Sequence, residues 1–372
     1  MEKIDKNGFS IYKLTEDAII NPFETFEKII SFLKEKGYFN LHDFYLQFVD
    51  SSIAGGLFYY KNILLYVSLF VFFIIIYGHK KRQELLSHIN PLNFIKYQSF
   101  KIDLSFLILH TLKVNSLIIN IIISIFLLRK FTEILNELNF YKNPISQAIS
   151  NYFNTLNSAS ENILLFILAY LVYDFGRFYA HYLLHRYDFL WVFHRVHHYP
   201  EQLTWVSTIR AHPIDGIFMW FFPSLLMGLF ISMVNGQPTL LQEPGELISN
   251  NGIIYLIIVS VPGVLNFLNH SKLPIYYGKY LGSIFISPVD HMIHHSKDIK
   301  GKNFGGTFSI WDALFKTKYS INSYSEYVKF ASKLGVDDAD DFLYKNIFQA
   351  FISPFKESLV ILKNKVKRIG AW

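Results

Sequence analysis

The chain has no cysteine in 372 residues. Disulfides, iron–sulfur clusters and thiolate zinc sites are therefore excluded. Charge is sparse too: 17% of residues are Asp, Glu, Lys or Arg, against 51% hydrophobic and 18% aromatic, a balance more apolar than that of an ordinary soluble domain. No apolar run follows the charged start Met1 to Asn7, so no cleavable signal peptide is expected and membrane insertion would use internal spans. A dinucleotide glycine fingerprint after a strand and a haem-domain motif are also missing. The formal net charge of +6 is not gathered into one stripe. Its basic residues sit beside apolar stretches, which suits anionic lipid headgroups and argues against nucleic acid as a partner.

What the chain has in abundance is histidine. Ten of its fourteen histidines lie between Ala180 and Ser296, and eight of these form three tight clusters: His181 and His185; His194, His197 and His198; His291, His294 and His295. Spacings of three and four put imidazoles on one side of a helix, so each cluster can aim its nitrogens at one point. Three such helices facing one another can hold more than one metal ion. The clusters are interleaved with Tyr182, Leu183, Leu184, Leu190, Trp191, Val192 and Phe193, which is unlike a hydrophilic low-complexity His tract. Burying eight imidazoles without a metal would strand polar nitrogens at about 1–3 kcal/mol each. Neutral imidazole suits iron, zinc, copper and nickel, whereas magnesium and calcium want oxygen. His42, His79, His88 and His110 have no partner at ligand spacing and read as surface or hydrogen-bonded core residues.

Five apolar stretches are visible, near Ile63 to Tyr77, Leu104 to Leu128, Ile163 to Tyr179, Ile217 to Val234 and Ile253 to Phe267. The second is long enough to span a bilayer outright and the rest are near the lower limit of about 17–20 residues, so four or five spans are expected. Upstream, residues 1–56 include Phe23, Phe26, Ile29, Ile30 and Leu33 at helical spacing among charges, a short amphipathic helix. The tail from Phe342 to Trp372 alternates apolar groups with Lys356, Lys363, Lys365, Lys367 and Arg368. It reads as an interfacial amphipathic helix, with a plain solvated helix as the competing reading.

Lysine and arginine in short loops set orientation. Lys80, Lys81, Arg82, Lys96 and Lys101 lie between the first two stretches, while 235–251 holds Glu243 and Glu246 but no basic residue. The first loop is therefore expected in the cytoplasm and the second on the opposite side. That threading puts 180–213 and 270–372, and with them all three histidine clusters, on the cytoplasmic face.

The motifs now resemble a known family. Asp174, Arg177, His181-Tyr182-Leu183-Leu184-His185-Arg186, then Leu190-Trp191, Phe193-His194, Val196-His197-His198, then Thr208, Arg210, His212-Pro213 and the third cluster followed by Asn303-Phe304-Gly305 and Trp311-Asp312 look like the fatty acid hydroxylase/sterol desaturase superfamily of membrane di-metal oxygenases. The resemblance covers roughly residues 160 to 320. It implies an all-α integral-membrane bundle with a cytoplasmic helical cap, two non-haem irons, and oxygen-dependent attack on lipid C–H bonds. Ligation by histidine alone separates such a site from soluble carboxylate-bridged di-iron bundles. His270, four residues after Asn266, matches an Asn-x-x-x-His pair near the metals of related desaturases. His270 therefore joins the eight clustered histidines as an expected ligand.

Around this ligand set, Asp174, His212, Asn266 and Asp290 are candidates for a supporting layer. Asp174 precedes His181 by two helical turns and can accept the far N–H of an imidazole; Asp290 and Asp312 are candidates for the same role, and for all three a helix cap or an ordinary ion pair is the competing reading. The expected organisation is residues 1–56 amphipathic, 57–155 first spans, 156–320 catalytic, and 321–372 an amphipathic tail. The expected function is hydroxylation of a lipid in a multi-pass protein of a bacterial inner membrane or endoplasmic reticulum, with desaturation as the alternative and a membrane metal-binding or transport protein as a remote rival. Dioxygen is the co-substrate. Since the chain has no motif for an electron-carrying group, a separate reductase or small electron carrier is expected as partner, steered by Lys297, Lys300 and Lys302.

Overall fold

In the computed structural model the described residues are 93–111, 129–155, 159–236, 268–270, 273–336 and 344–369. They form α-helices joined by turns and short 3-10 segments, with two isolated bridges and no strand among them. In chain order the helices are α1 (Gln98–Thr111), α2 (Arg129–Glu137), α3 (Pro144–Asn154), α4 (Ala159–Arg186), α5 (Asp188–His198), α6 (Pro213–Asn235), α7 (Gly278–Ile284), α8 (Pro288–His294), α9 (Ile310–Leu314), α10 (Tyr324–Ala331) and α11 (Ile347–Ile369). The amphipathic segment near Phe23, the stretches near Ile63 to Tyr77 and Ile253 to Phe267, and most of Leu104 to Leu128 lie outside the described residues.

Among the described helices, α6 over Pro213–Val234 is the one long and apolar enough to cross a membrane. Its start is well specified. Pro213 occupies the first turn, where its missing N–H costs nothing, the His212 side chain accepts from the Ile214 amide, and Asp215 adds an acid to the first turn, where the helix dipole favours it. Gly236, at φ 65°, closes the helix in the left-handed conformation that glycine adopts without strain. The third apolar stretch lies within α4, which is 28 residues long. Helices α4 and α6 pack along each other. They cross closely at Gly176, where a Cβ would lie 2.5 Å from the Pro223 Cα; only glycine lets the two backbones approach so far.

Tyr187 alone separates α4 from α5. Its extended backbone turns the chain, and the Asp188 carboxylate in the first turn of α5 complements that helix's dipole. Helix α8 starts on a capping box, in which Ser287 and Asp290 bond each other's backbone amides, with Pro288 in its first turn. The apolar face of α8, Val289, Met292 and Ile293, packs with Leu203 and with Tyr327, Phe330 and Leu334 around α10. A second cluster joins α1 to α5 and α11 through Ile102, Phe106, Val196 and Ala350, with Tyr344. A buried ion pair, Arg210 Nη1 to Asp103 Oδ1 at 2.9 Å, ties α1 to the turn after residues 205–209. Helix α4 also packs against α5, so the two helices that carry the first two boxes sit together while α8 is seated on Leu203 and α10.

Candidate metal centre

The nine histidines expected as ligands come together, but not box by box. One group is His181 and His185 from α4, His194 and His198 from α5, and His294 from α8; the other is His197, His270, His291 and His295. Within each group the nitrogens on offer all lie within 4.8 Å of one another, so each can hold a metal ion. Both HxxHH boxes are split between the groups. On α5, His194 and His198 are four apart and face one centre while His197 faces the other; on the last turn of α8, His291 and His295 pair in the same way and His294 crosses over. The groups adjoin, since the His198 and His295 rings stack with centroids 4.2 Å apart.

Backbone carbonyls fix which nitrogen faces inward. His181 Nδ1 bonds the Phe304 carbonyl at 2.8 Å, His197 Nδ1 the Arg210 carbonyl at 2.9 Å, and His294 Nδ1 the Lys302 carbonyl at 2.7 Å. A carbonyl only accepts, so each Nδ1 carries the hydrogen and each Nε2 of a neutral ring is a bare lone pair. His185 Nε2 and His294 Nε2 are buried with no hydrogen-bond partner. Other inward nitrogens crowd together: His194 Nε2 and His198 Nε2 at 3.2 Å, His197 Nε2 and His270 Nε2 at 3.1 Å, and His291 Nε2 and His295 Nε2 at 3.2 Å. Lone pairs gathered so closely in an apolar interior are costly by themselves and become favourable around a cation. The donor set thus fits metal ions that accept nitrogen, with iron among them.

Seven of the nine rings are held neutral. Burial, reinforced by the neighbouring rings, pushes His181, His185, His198, His291 and His295 well below the ordinary imidazole range. Burial also takes His197 down to about 4 and His294 to about 3. Metal-free protein should therefore lose stability as pH falls. Below about 6.5 the unfolded chain binds protons that the folded rings refuse until about pH 4 at His197, so each step down in that window favours unfolding. Thermal melts of chelator-treated protein between pH 7.5 and 4.5 should show a falling midpoint; a flat or rising midpoint would contradict the neutral-ring assignment.

The carbonyls that orient His181 and His294 belong to one clamped loop. Asp312, fully buried, accepts from the Phe304 and Gly305 amides, each at 2.8 Å, and from Thr317 Oγ1 at 2.6 Å. Asn303 adopts a left-handed φ of 57°. Its amide donates to the Asp290 and Tyr319 carbonyls, while its oxygen accepts from the Tyr319 N–H. At Gly305 a Cβ would sit 2.4 Å from the Phe308 carbonyl, so the turn closes only with glycine there.

Most of the residues expected to support the ligands serve elsewhere. Asp174 accepts from the Thr307 and Phe308 amides and from Trp311 Nε1; its carboxylate anchors that turn to α4 and bonds no imidazole. Asp290 caps α8, its Oδ2 accepting from the Ser287 amide and hydroxyl, because an acid at the third helical position reaches back to the amide of the cap residue. Asp312 bonds backbone amides and a hydroxyl. His212 Nδ1 accepts from Ile214, so its Nε2 donates to the Phe351 carbonyl at 3.0 Å, and both nitrogens are committed outside the two groups. Asn266 lies outside the described residues. The carboxylate that does reach a ring is Asp215, whose Oδ2 is 3.2 Å from His194 Nδ1. Its place three residues after His212, in the first turn of α6, was the available signal in the sequence.

Residues 166–317 match the family model for fatty acid hydroxylase. The chain is similar to ornithine lipid hydroxylase OlsE of Rhizobium tropici, at 29% identity over 153 residues covering 41% of this chain and 40% of that protein. It is also similar to alkylglycerol monooxygenases, at 26% over 146 residues for that of Caenorhabditis elegans and 26% over 151 residues for that of Homo sapiens. Those matches cover 39% and 40% of this chain, and 25% and 29% of the two relatives. The matched stretch thus spans well under half of each relative. No solved structure matches.

Proposed function

We propose, with residues 166–317 as a fatty acid hydroxylase domain, that this chain is a membrane-bound, oxygen-dependent lipid hydroxylase holding two non-haem irons. The ligands would be His181, His185, His194, His198 and His294 for one iron and His197, His270, His291 and His295 for the other. The observation that carries this is the pair of adjoining, buried, all-nitrogen groups whose ligand atoms lie within 4.8 Å of one another. Bound iron supplies the activation of dioxygen that C–H hydroxylation requires. The protein's own part is to hold the nine rings in place, with carbonyls fixing the tautomers of His181, His197 and His294, and to keep water out with Trp191 and Phe304, whose rings lie against His185 at 4.7 and 5.0 Å.

The reaction would consume one dioxygen, two electrons and two protons to turn a lipid C–H into C–OH, with water as the other product. Hydroxylation is favoured over desaturation by the names of the similar proteins, a lipid hydroxylase and an alkylglycerol monooxygenase. A lipid with a long apolar chain is the substrate class. The remaining sequence would supply an N-terminal amphipathic region over 1–56, the first spans over 57–155, and an amphipathic tail over 321–372. Helix α6 and the apolar stretches around it would anchor the chain, with the metal centre cytoplasmic. A separate reductase or small electron carrier would dock beside Lys297, Lys300 and Lys302; the Lys302 carbonyl bonds the His294 ring, so one residue links that surface to a ligand.

Purified protein should contain iron in about a two-to-one ratio to chain without a Soret band, and should move one atom of labelled dioxygen into the lipid product when a reductase system is added. Zinc alone, a haem spectrum, or product oxygen that comes from water would each overturn the reading.

A further inference from the structure

The long helix α11 carries two distinct faces, and one of them is largely uncovered by protein among the described residues, apart from Phe355. Its inner face is accounted for. Ala350, Pro354 and Ser358, four residues apart, are buried; Ser358 Oγ donates to the Phe189 carbonyl at 2.9 Å, Glu357 pairs with Arg195 of α5, and the Phe351 ring stacks on Phe106 of α1 with centroids 5.6 Å apart. The outer face shows Phe348, Ile352, Phe355, Leu359, Leu362 and Val366, all exposed, with Phe348 at 78% and Val366 at 68%. Their spacing is four, three, four, three and four, which places them in one narrow stripe along the helix. Lys356, Lys363 and Lys367 follow the same repeat along one border of that stripe and are exposed.

The surroundings of α11 indicate what covers the stripe. The Phe351 carbonyl accepts from His212, the residue that caps α6, and Phe355 packs against both the His212 ring and Phe193 of α5, each at 5.2 Å between centroids. Helix α11 thus lies beside the first turn of the helix that is long and apolar enough to cross a membrane. An apolar helix that enters a bilayer places its first turn at the headgroup level, and a helix packed there with lysines bordering an apolar stripe has the composition of an in-plane interfacial helix.

We propose that α11 docks its outer face onto an anionic bilayer surface, with Phe348, Ile352, Leu359 and Val366 entering the acyl boundary and Lys356, Lys363 and Lys367 meeting lipid phosphates. The same helix holds α5, which carries His194, His197 and His198, so membrane contact is one packing layer from the metal centre. The proposal rests on reading the chain as a membrane enzyme.

The absence of cysteine makes the test direct, because one introduced cysteine gives one label. Full-length Leu359→Cys and Val366→Cys, nitroxide-labelled, would be reconstituted into vesicles of phosphatidylcholine with or without phosphatidylglycerol. Asn364→Cys, exposed and off the stripe, serves as control. The ratio of oxygen to nickel-chelate collisions should rise at Leu359 and Val366 in the anionic vesicles only, and should fall back to the Asn364 value when Lys356, Lys363 and Lys367 are all changed to Glu. Water-like accessibility in both vesicles, equal lipid exposure in both, or spin–spin broadening from a second copy would each overturn the proposal. Carbonate retention and iron content of the same vesicles test the membrane-enzyme reading separately, so failure of one is not mistaken for failure of the other.

Discussion

His294→Ala should abolish turnover and empty the first histidine group of metal while the second keeps its own, and His197→Ala should do the converse. His294 is the member of the third box that crosses to join His181, His185, His194 and His198, and its Nε2 is buried without another partner. The alanine removes one of five inward nitrogens and leaves the Lys302 carbonyl unpaired. Disturbing a group that only orients a ligand costs about 10- to 100-fold in metal affinity, so removing the ligand itself should cost at least that much. Iron per chain should fall by about half in each variant, with the protein still in the membrane fraction. His212→Ala is the contrast: a cap is lost, costing about 1 kcal/mol, and iron is retained. Full iron with sustained turnover in both His294→Ala and His197→Ala would remove the ligand assignment.

The second large effect is expected at a residue that touches no candidate ligand. Asp312→Ala leaves the Phe304 and Gly305 amides without their acceptor and the Thr317 hydroxyl with only the carbonyl of residue 312 at 3.4 Å. Each buried group stranded in this way costs about 1–3 kcal/mol. The more telling consequence is at the histidine groups, because the loop those amides hold presents the Phe304 carbonyl to His181 and the Lys302 carbonyl to His294. Both rings lose the partner that fixes their tautomer, so iron affinity should drop by about 10- to 100-fold. Asp312→Asn keeps one acceptor oxygen and should fall between. Iron titrations monitored by absorbance, alongside melts, separate the two effects; a melt shift with unchanged iron affinity would reduce Asp312 to a purely structural role.

The three histidine boxes could be read from spacing because helix periodicity is a local property, and α4, α5 and α8 carry it without interruption. Their division into two groups could not be read, since it depends on how α8 is rotated against α5, and that is decided by the apolar face of α8 packing on Leu203 and α10. The ring-orienting carbonyls were equally hidden. Any residue has a carbonyl, and nothing in Phe304, Lys302 or Arg210 as residue types marks theirs. Asp174 shares a face with His181 as the periodicity requires, yet three donors of the turn at Thr307 to Trp311 claim its oxygens; a same-face argument gives position and not partner. Of the spans, the apolar run that became α6 was visible, and α4 formed as one helix through the third stretch.

The one-residue hinge at Tyr187 would also divide the assembly of the centre in time. Four of the five rings of the first group, His181, His185, His194 and His198, lie on two helices that meet without any intervening loop, so they can gather as soon as that hairpin forms, on the fast timescale of contacts short in sequence. The second group has a single ring in that hairpin, His197, and waits for His270, His291 and His295 to return after the chain has passed through α6. Closing that longer loop carries the larger entropy cost. A nascent chain that folds in this order would offer a four-nitrogen pocket before the rest of the centre exists, open to whichever divalent ion binds nitrogen most avidly. By intrinsic affinity copper and zinc outrank ferrous iron, so metal availability during synthesis, as much as the finished geometry, would determine which ion the two groups take up.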